Sequence, residues 1–537
     1  MPADLIIHDA RIFTGGEPFD GAVAIEAGRI LSVGAWADVR RSVSGHTESI
    51  DAGGGLLTPG FIDAHVHPIS GGRKLLSCSL QDAATLSEAT DMIASYASSH
   101  PDREWIWGGG WAMAWFEHGL PSAAALDQVV ADRPVFLYNR DGHAAWLNSR
   151  ALELTGITAN TIDPFDGRIE RLADGSPQGT LHEGAMGIAE AIVPEPTPAD
   201  WEQALLAGQE YLLAFGVTGW QDADVQLPQD AAYLSVAERG ALIASVVGAL
   251  WWDRHRGLDQ VEELIGRRTL MGPRYRPTSV KLMLDGVAEN FTAAMLEPYG
   301  DGTGVAGDNS GIDFIEPAKL DEIVTTLDRL GFQCHFHAIG DRAVRNALDA
   351  VEAARKANGD TGLMHHVAHI QFVHDDDIKR FRRLRVAANA QALWACHEPQ
   401  MDLLTLPFLS PGQAARMYPF GRLLRSGARL VMGSDWYVST PNPMLQAEVA
   451  VTRRSPGDPD TAPLLPEDSL SLAEALAAFT LGSATINRVD DRVGSIKPGN
   501  DADVVVFDRD PFREGPIGEA EVVTTLIRGN VVYERPG

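Results

Sequence analysis

Cysteine is scarce in this sequence, and the few cysteines present are poorly placed for pairing. Cys78, Cys334 and Cys396 are the three cysteines in 537 residues, and they form no Cys-x-x-Cys motif. Their number and spacing argue against a disulfide framework, and a reduced, cytoplasmic setting fits best. The N-terminus has an acidic start and lacks an apolar signal-peptide core. No apolar run approaches the roughly 20 residues that a membrane span requires.

Positive charge is also in short supply. The chain has 44 lysines and arginines against 73 aspartates and glutamates, which gives a net charge of −29. A nucleic acid or an anionic membrane surface calls for a basic partner, so this balance argues against both. We expect a small-molecule substrate instead. The sequence leaves the oligomeric state open, with a homodimer as one option.

Strand-like runs alternate with helical stretches through the middle of the chain. Such alternation predicts a parallel sheet, and eight units predict a closed (β/α)8 barrel, the α/β fold known as the TIM barrel. The active site of such a barrel lies at the carboxyl ends of its strands. The eight predicted strands span residues 60–65, 216–222, 243–250, 279–284, 332–337, 367–372, 386–391 and 429–433.

Both ends of the chain read as short strands and turns. This pattern of short strands and turns predicts one composite β-sandwich domain, built from residues 1–58 and 487–537, beside a barrel of residues 59–486. Two unrelated β appendages are the alternative.

The interval between the first and second predicted strands is abnormally long. It runs from about residue 70 to 215, which is too long for a single crossover and predicts an inserted subdomain or a large lid. The interval contains Trp105, Trp107, Trp111 and Trp115. These tryptophans either pack the core of the insertion or form an aromatic wall over the site, with Trp111 as the candidate substrate contact.

Two histidines one residue apart close the first predicted strand. In a strand, His65 and His67 point to the same face, where two neutral imidazoles can share a divalent metal such as zinc. Four further candidates for metal binding lie in later strands or at their ends: Lys281, His337, His369 and Asp435. Each has a plainer alternative, since a histidine can be an ordinary polar residue, a lysine can snorkel and an aspartate can cap a turn. Four other histidines are predicted to be bystanders: His335, His365, His366 and His374.

Several motifs resemble those of the amidohydrolase superfamily. Residues 59–67 (Pro-Gly-Phe-Ile-Asp-Ala-His-Val-His) resemble its first-strand motif, and the later histidines, Gly-Ser-Asp at 433–435 and residues 494–503 are similar as well. Three longer motifs, at residues 141–149, 281–286 and 337–343, look like those of the YtcJ-like branch, which includes N-substituted formamide deformylase. The resemblance implies a barrel, a composite β-sandwich and a site for one or two divalent ions, usually zinc.

The resemblance also implies roles for the candidate residues. His65 and His67 would bind the more buried ion, and His337 and His369 the second. Asp435 would touch the buried ion and the reacting water. Lys281 matches a position that is carboxylated in related two-metal members, where it bridges both ions.

These roles imply hydrolysis by a metal-activated hydroxide that attacks an acyl carbon. Asp435 would accept the proton of the water and return it to the departing amine. We therefore expect a metal-dependent hydrolase of an amide-type C–N bond, acting on a small apolar or aromatic substrate. Alternatives on the same site are deamination of a ring and hydrolysis of an ester, carbamate or urea. A non-catalytic metal-binding scaffold is a further alternative.

Three more side chains are weaker candidates. His143, from the insertion, could bind the substrate carbonyl or stabilise its own loop. Asp285 could contact the substrate, orient a metal ligand or cap its turn. Glu183 could lie near the pocket but is left outside the predicted set. The sequence departs from many branch members at Ala368 and Tyr437, which could reshape the pocket without removing a ligand.

Overall fold

A sheet of eight parallel strands forms the centre of the molecule. The computed structural model describes residues 2–303, 305, 307–513 and 515–536. Neighbouring strands in this sheet follow the order of the chain, as in a (β/α)8 barrel. The strands are Phe61–Val66, Val217–Val225, Ser245–Trp251, Tyr275–Met283, Gln333–Ala338, His366–His369, Ala387–Ala390 and Arg429–Met432.

The two edges of this sheet meet just beyond the carboxyl ends of the first and last strands. The backbone N–H of Asp435 donates to the carbonyl of His65 at 2.8 Å, and the N–H of His67 donates to the carbonyl of Trp436 at 2.7 Å. The α/β barrel predicted from the sequence is therefore confirmed. The sixth strand ends at His369, earlier than predicted, because His369 and Ile370 adopt successive positive φ angles of 74° and 44°, outside the β region.

Helices return the chain from each strand to the next and cover the barrel. The longest, Asp341–Asn358, buries a face of alanine, valine and leucine, while Thr197 and Asp200 form a capping box at the start of Pro198–Ala214. The main helices of the barrel are Pro68–Leu75, Pro198–Ala214, Gln229–Glu238, Val261–Arg268, Pro317–Arg329, Asp341–Asn358, Asp375–Leu384, Phe420–Arg425, Pro443–Thr452 and Leu472–Ala477. A membrane-spanning helix is absent from the described part of the chain, where every helix is too short or too polar for one.

Strands from both ends of the chain pair in one eight-stranded sheet. The two ends join where Thr58 pairs with Val505 in an antiparallel ladder. Strand pairing across the termini favours a single β-rich unit over two separate appendages. Its strands are Leu5–Ile12, Phe19–Glu26, Arg29–Gly34, Glu48–Asp51, Leu56–Pro59, Val504–Phe507, Val522–Ile527 and Asn530–Glu534.

The long interval after the first barrel strand contains a six-stranded sheet with its own hydrophobic core. Its strands are Cys78–Ser79, Ile106–Trp111, Val135–Asn139, Ala144–Leu147, Gly167–Arg171 and Pro177–Glu183, and its main helices are Leu86–Ser99, Ala123–Asp127, Ser149–Thr155 and Met186–Glu190. Trp111 is fully buried in that core, and its indole N–H donates to the carbonyl of Leu137 at 2.8 Å. This corrects the expectation that Trp111 contacts the substrate, because packing and a hydrogen bond already occupy the whole side chain.

A buried carboxylate joins two barrel helices to the start of the sixth strand. Asp328 is 1% exposed, and its side chain accepts hydrogen bonds from Arg355, Asn358, Thr361 and His365 at 2.6 to 3.1 Å. Burial alone would raise the pKa of Asp328, but the hydrogen bonds outweigh it and hold that pKa below its ordinary value of 3.8.

We expect Asp328→Asn to lower the free energy of unfolding by about 1–3 kcal/mol, because buried donors lose a charged acceptor. The matched control Asp360→Asn alters an exposed, solvent-screened pair with Arg385 and should lower the free energy of unfolding much less. A carboxyl with a depressed pKa stabilises the fold above its unfolded pKa and loses that contribution as the pH falls. Denaturant unfolding at pH 7 and pH 3 measures this, and an Asp328→Asn effect that is as large at pH 3 as at pH 7 contradicts it.

Candidate active site

The carboxyl ends of the first, sixth and eighth barrel strands converge on one carboxylate. Nε2 of His65 lies 3.2 Å from Asp435 Oδ1, and Nε2 of His67 lies 3.0 Å from the same oxygen. Nδ1 of His369 lies 3.8 Å from Asp435 Oδ2. The β/α architecture thus brings together side chains that are more than 300 residues apart in the sequence.

The donor set fits a divalent cation. One ligand atom from each of His65, His369 and Asp435 lies within 4.8 Å of the other two. Nε2 of His65 and Nδ1 of His369 are buried and have no hydrogen-bond partner among the described residues. Buried polar atoms are normally paired, so two unpaired imidazole nitrogens beside a carboxylate indicate a metal site. Burial also lowers the pKa of both histidines well below its ordinary value, which keeps them in the neutral form that binds metal.

His337 and Lys281 lie beside this set. The ring of His337 is 4.4 Å from that of His369, centroid to centroid, and its Nε2 is 3.3 Å from the carbonyl oxygen of Gly286. Lys281 is 2% exposed, and burial lowers the pKa of its amine to about 8. A lowered pKa increases the neutral amine that carboxylation requires. The six predicted residues therefore line one cavity: His65, His67, Lys281, His337, His369 and Asp435.

His335 was predicted to be a bystander, and the structure corrects this. Its Nε2 lies 2.7 Å from Nδ1 of His65, so it fixes the orientation of that ring. His366 packs against it with centroids 3.9 Å apart and hydrogen-bonds to Gln221 at 2.8 Å. The sequence carried the signal, since residues 335 and 337 share one face of a strand.

The other two predicted bystanders lie away from the site. His365 belongs to the Asp328 cluster, and His374 accepts a hydrogen bond from the N–H of Asp376 at the start of a helix.

The insertion contributes His143 to the cavity. Its Nδ1 lies 2.9 and 3.1 Å from the two carboxylate oxygens of Glu183, the residue that the prediction had left out. Burial alone would lower the pKa of His143, but the charge and hydrogen bond of Glu183 outweigh it and raise that pKa to about 9. The hydroxyl of Thr292 also donates to Glu183 at 2.9 Å. His143 therefore presents a cationic ring 5.4 Å from that of His337.

Asp285 is fully buried, and its carboxylate accepts hydrogen bonds from three backbone N–H groups. The donors are Ala294, Ile339 and Gly340, at 2.8 to 3.0 Å. Burial raises the pKa of Asp285 to about 8, although the backbone donors oppose it. Its Oδ1 lies 3.6 Å from Nε2 of His337. The placement corrects the expectation of substrate contact, because Asp285 holds the loop around His337.

Two cavities meet at the histidine cluster. The larger, of about 670 Å³, is lined by aromatic residues that include Trp107, Tyr138 and Trp201, and the smaller, of about 460 Å³, by Trp394 and Tyr418. Both cavities touch the same central residues: His143, His337, His369, Asp435 and Tyr437. Both alternatives for the tryptophans of the insertion are therefore realised, since Trp107 contributes to an aromatic wall and Trp111 packs the core.

Comparisons with known proteins agree with this arrangement. Protein LONG AFTER FAR-RED 3 of Arabidopsis thaliana is 30% identical over 99% of this chain and 92% of its own length. N-substituted formamide deformylase of Arthrobacter pascens is 27% identical over 99% of both chains. An uncharacterised metal-dependent hydrolase from Pyrococcus furiosus superposes with a TM-score of 0.72 at 25% identity, over 94% of this chain and 99% of the other. The sequence profile of the amidohydrolase family matches residues 48–533, and the chain belongs to that family.

Proposed function

We propose that this enzyme hydrolyses an amide-type C–N bond of a small substrate with an apolar or aromatic group. The observation that carries the proposal is the pair of unpartnered nitrogens, on His65 and His369, that face Asp435 at the mouth of the barrel. Membership of the amidohydrolase family and the similarity to N-substituted formamide deformylase support an amide-type C–N bond as the one that is cleaved.

The cluster would hold one or two divalent ions, and we propose zinc because its donors are imidazole and carboxylate. His65, His67, His337, His369 and Asp435 would be ligands, and Lys281, if carboxylated, could bridge two ions. A bound divalent ion lowers the pKa of water and polarises a carbonyl oxygen. The remaining roles belong to side chains of this chain.

Asp435 would move the proton. Burial alone would raise its pKa, but the hydrogen bond from His67 and nearby positive charge outweigh it and keep that pKa below its ordinary value. The carboxylate is therefore ionised at neutral pH and can accept a proton from the attacking water. Delivering that proton to the leaving nitrogen allows the amine to depart.

His143 would orient the substrate. Its Nδ1 is bound to Glu183, so its Nε2–H is left to donate to the carbonyl oxygen of the scissile group. The aromatic walls of the two cavities would hold the groups on either side of the amide.

We extend the proposal to the domain organisation. Residues 59–486 would form the catalytic barrel with its insertion at about 70–215, and residues 1–58 and 487–537 a composite β-sandwich. The enzyme would act in the cytoplasm on a small molecule, as a monomer or a homodimer.

Removing one ligand should remove metal. We expect His369→Asn to lower the affinity for a divalent metal at least about tenfold, since a buried neutral ligand is lost. Less metal should then remain bound per chain. His374→Asn, which alters a half-buried histidine away from the cluster, should leave the metal content unchanged. Elemental analysis of the purified proteins after dialysis measures this. Equal metal in both variants would show that the cluster is not the binding site.

Removing the proton carrier should stop turnover. We expect Asp435→Asn to lower kcat on an aromatic N-substituted formamide by about 10²–10⁴-fold, because the leaving amine receives no proton. Circular dichroism and metal analysis of the Asp435→Asn variant check that the fold and the bound metal are retained. An undiminished kcat with metal bound contradicts the proton-transfer role of Asp435. Wild-type activity that is confined to esters or ring amines would favour ester hydrolysis or deamination over amide hydrolysis.

The His143–Glu183 pair should give a pH signature. With a pKa of about 9, His143 is protonated below that value and loses its proton as the pH rises through it. Glu183→Gln removes the neighbouring charge, so the pKa falls and the loss of activity should begin at a lower pH. The pH profile of kcat/KM measures this. A basic limb that stays at the wild-type position would exclude His143 as the titrating donor.

A further inference from the structure

The larger cavity is lined by two basic side chains that form no ion pair among the described residues. Arg73 and Lys74 lie in the last turn of the helix Pro68–Leu75, directly after the first barrel strand, and both line the cavity. Within the described residues, no carboxylate oxygen comes within 4 Å of either basic group, and Asp141, Asp200 and Asp435 act on them only from further away. Arg254 on the same cavity differs, because it is paired with Asp166 at 2.6 Å. In a chain with a net charge of −29, two basic side chains that line one cavity without an ion-pair partner call for an explanation.

Arg73 stacks on aromatic rings. Its guanidinium carbon lies 4.1 Å from the ring centroid of Trp107 and 4.7 Å from that of Trp201. Stacking holds the planar group in place but uses none of its N–H donors. An immobilised guanidinium with free donors is preorganised to bind a carboxylate through two parallel hydrogen bonds.

Lys74 is the more unusual of the two because it is 2% exposed. Its Nζ lies 3.3 Å from the ring centroid of Tyr437, and it has no hydrogen-bond acceptor in the part of the chain that the structure describes. Burial lowers the pKa of Lys74 well below its ordinary value, although Asp141 and Asp435 oppose the shift, so the amine needs a bound anion to hold its charged form. A buried amine is costly when nothing compensates for its lost hydration. An uncharged side chain of similar length would pack equally well, so simple packing does not account for a lysine here.

The two basic side chains lie close to the candidate metal site. Tyr437, which Lys74 contacts, follows Asp435 by two residues, and its ring centroid is 5.9 Å from that of His67. Tyr138, which also lines the larger cavity, lies 5.5 Å from Lys74 Nζ. A group held by Arg73 and Lys74 would therefore belong to the same molecule as an amide at the metal cluster.

We propose that Arg73 and Lys74 bind a carboxylate of the substrate, so that the enzyme acts on amides that also carry a carboxylate group. This inference rests on the proposed function and narrows its substrate class. N-acylated amino acids with an apolar or aromatic side chain are the simplest compounds that combine the amide, the carboxylate and the group for the aromatic wall.

Binding of two matched probes tests the inference without turnover. We would measure 3-phenylpropanoate and 3-phenylpropanamide by calorimetry on the metal-loaded protein. The carboxylate should bind at least about tenfold more tightly than the amide. That preference should fall at least about tenfold in Arg73→Gln and in Lys74→Met. Lys319→Gln, which removes one exposed charge outside both cavities, should leave the preference unchanged.

Two results would overturn the inference. One is an amide probe that binds wild type as tightly as the carboxylate. The other is a carboxylate preference that survives both substitutions, which would place the carboxylate on the metal. Thermal unfolding checks the fold of each variant. If Lys74→Met does not fold, Arg73→Lys, which keeps the charge, provides a second test.

Turnover separates this inference from the proposed function. Hydrolysis of N-formylphenethylamine and N-formylphenylalanine at equal kcat/KM contradicts the carboxylate site alone. Hydrolysis of neither compound, with the binding preference intact, contradicts amide hydrolysis alone.

Discussion

The candidate active site depends on buried imidazole nitrogens at the mouth of the barrel that have no hydrogen-bond partner among the described residues. These nitrogens belong to His65 and His369 and face the carboxylate of Asp435. Leaving such atoms unpaired is costly, and a divalent cation satisfies them together. The surrounding groups are arranged around these nitrogens, since His335 fixes the ring of His65 and Asp285 fixes the loop beside His337.

The barrel and the insertion divide the chemistry between them. Strand ends of the barrel supply the metal cluster, in which burial keeps His65 and His369 neutral. The insertion supplies His143, whose bond to Glu183 keeps it cationic, and the aromatic wall around Trp107. One region therefore suits a metal and the other a substrate, which is how a common scaffold can serve different substrates.

Much of this could be predicted from the sequence. All eight barrel strands and the six residues of the cluster follow from local patterns, because strand period and motif spacing are local properties. Trp111 and Trp107 show the limit, since both lie on one short strand and only the tertiary packing decides which reaches the cavity. The partnership of His143 with Glu183 likewise depends on strand pairing within the insertion. His335 could have been found, because the alternation that selects His337 also selects it.

The central claim is that His65, His369 and Asp435 hold a divalent metal ion. Anomalous X-ray diffraction from crystals of the purified protein, collected on both sides of the zinc absorption edge, tests it most directly. The account predicts a peak within about 2.0–2.2 Å of the imidazole nitrogens and the carboxylate. A featureless anomalous map at this position, in crystals of active protein grown with zinc, would contradict it.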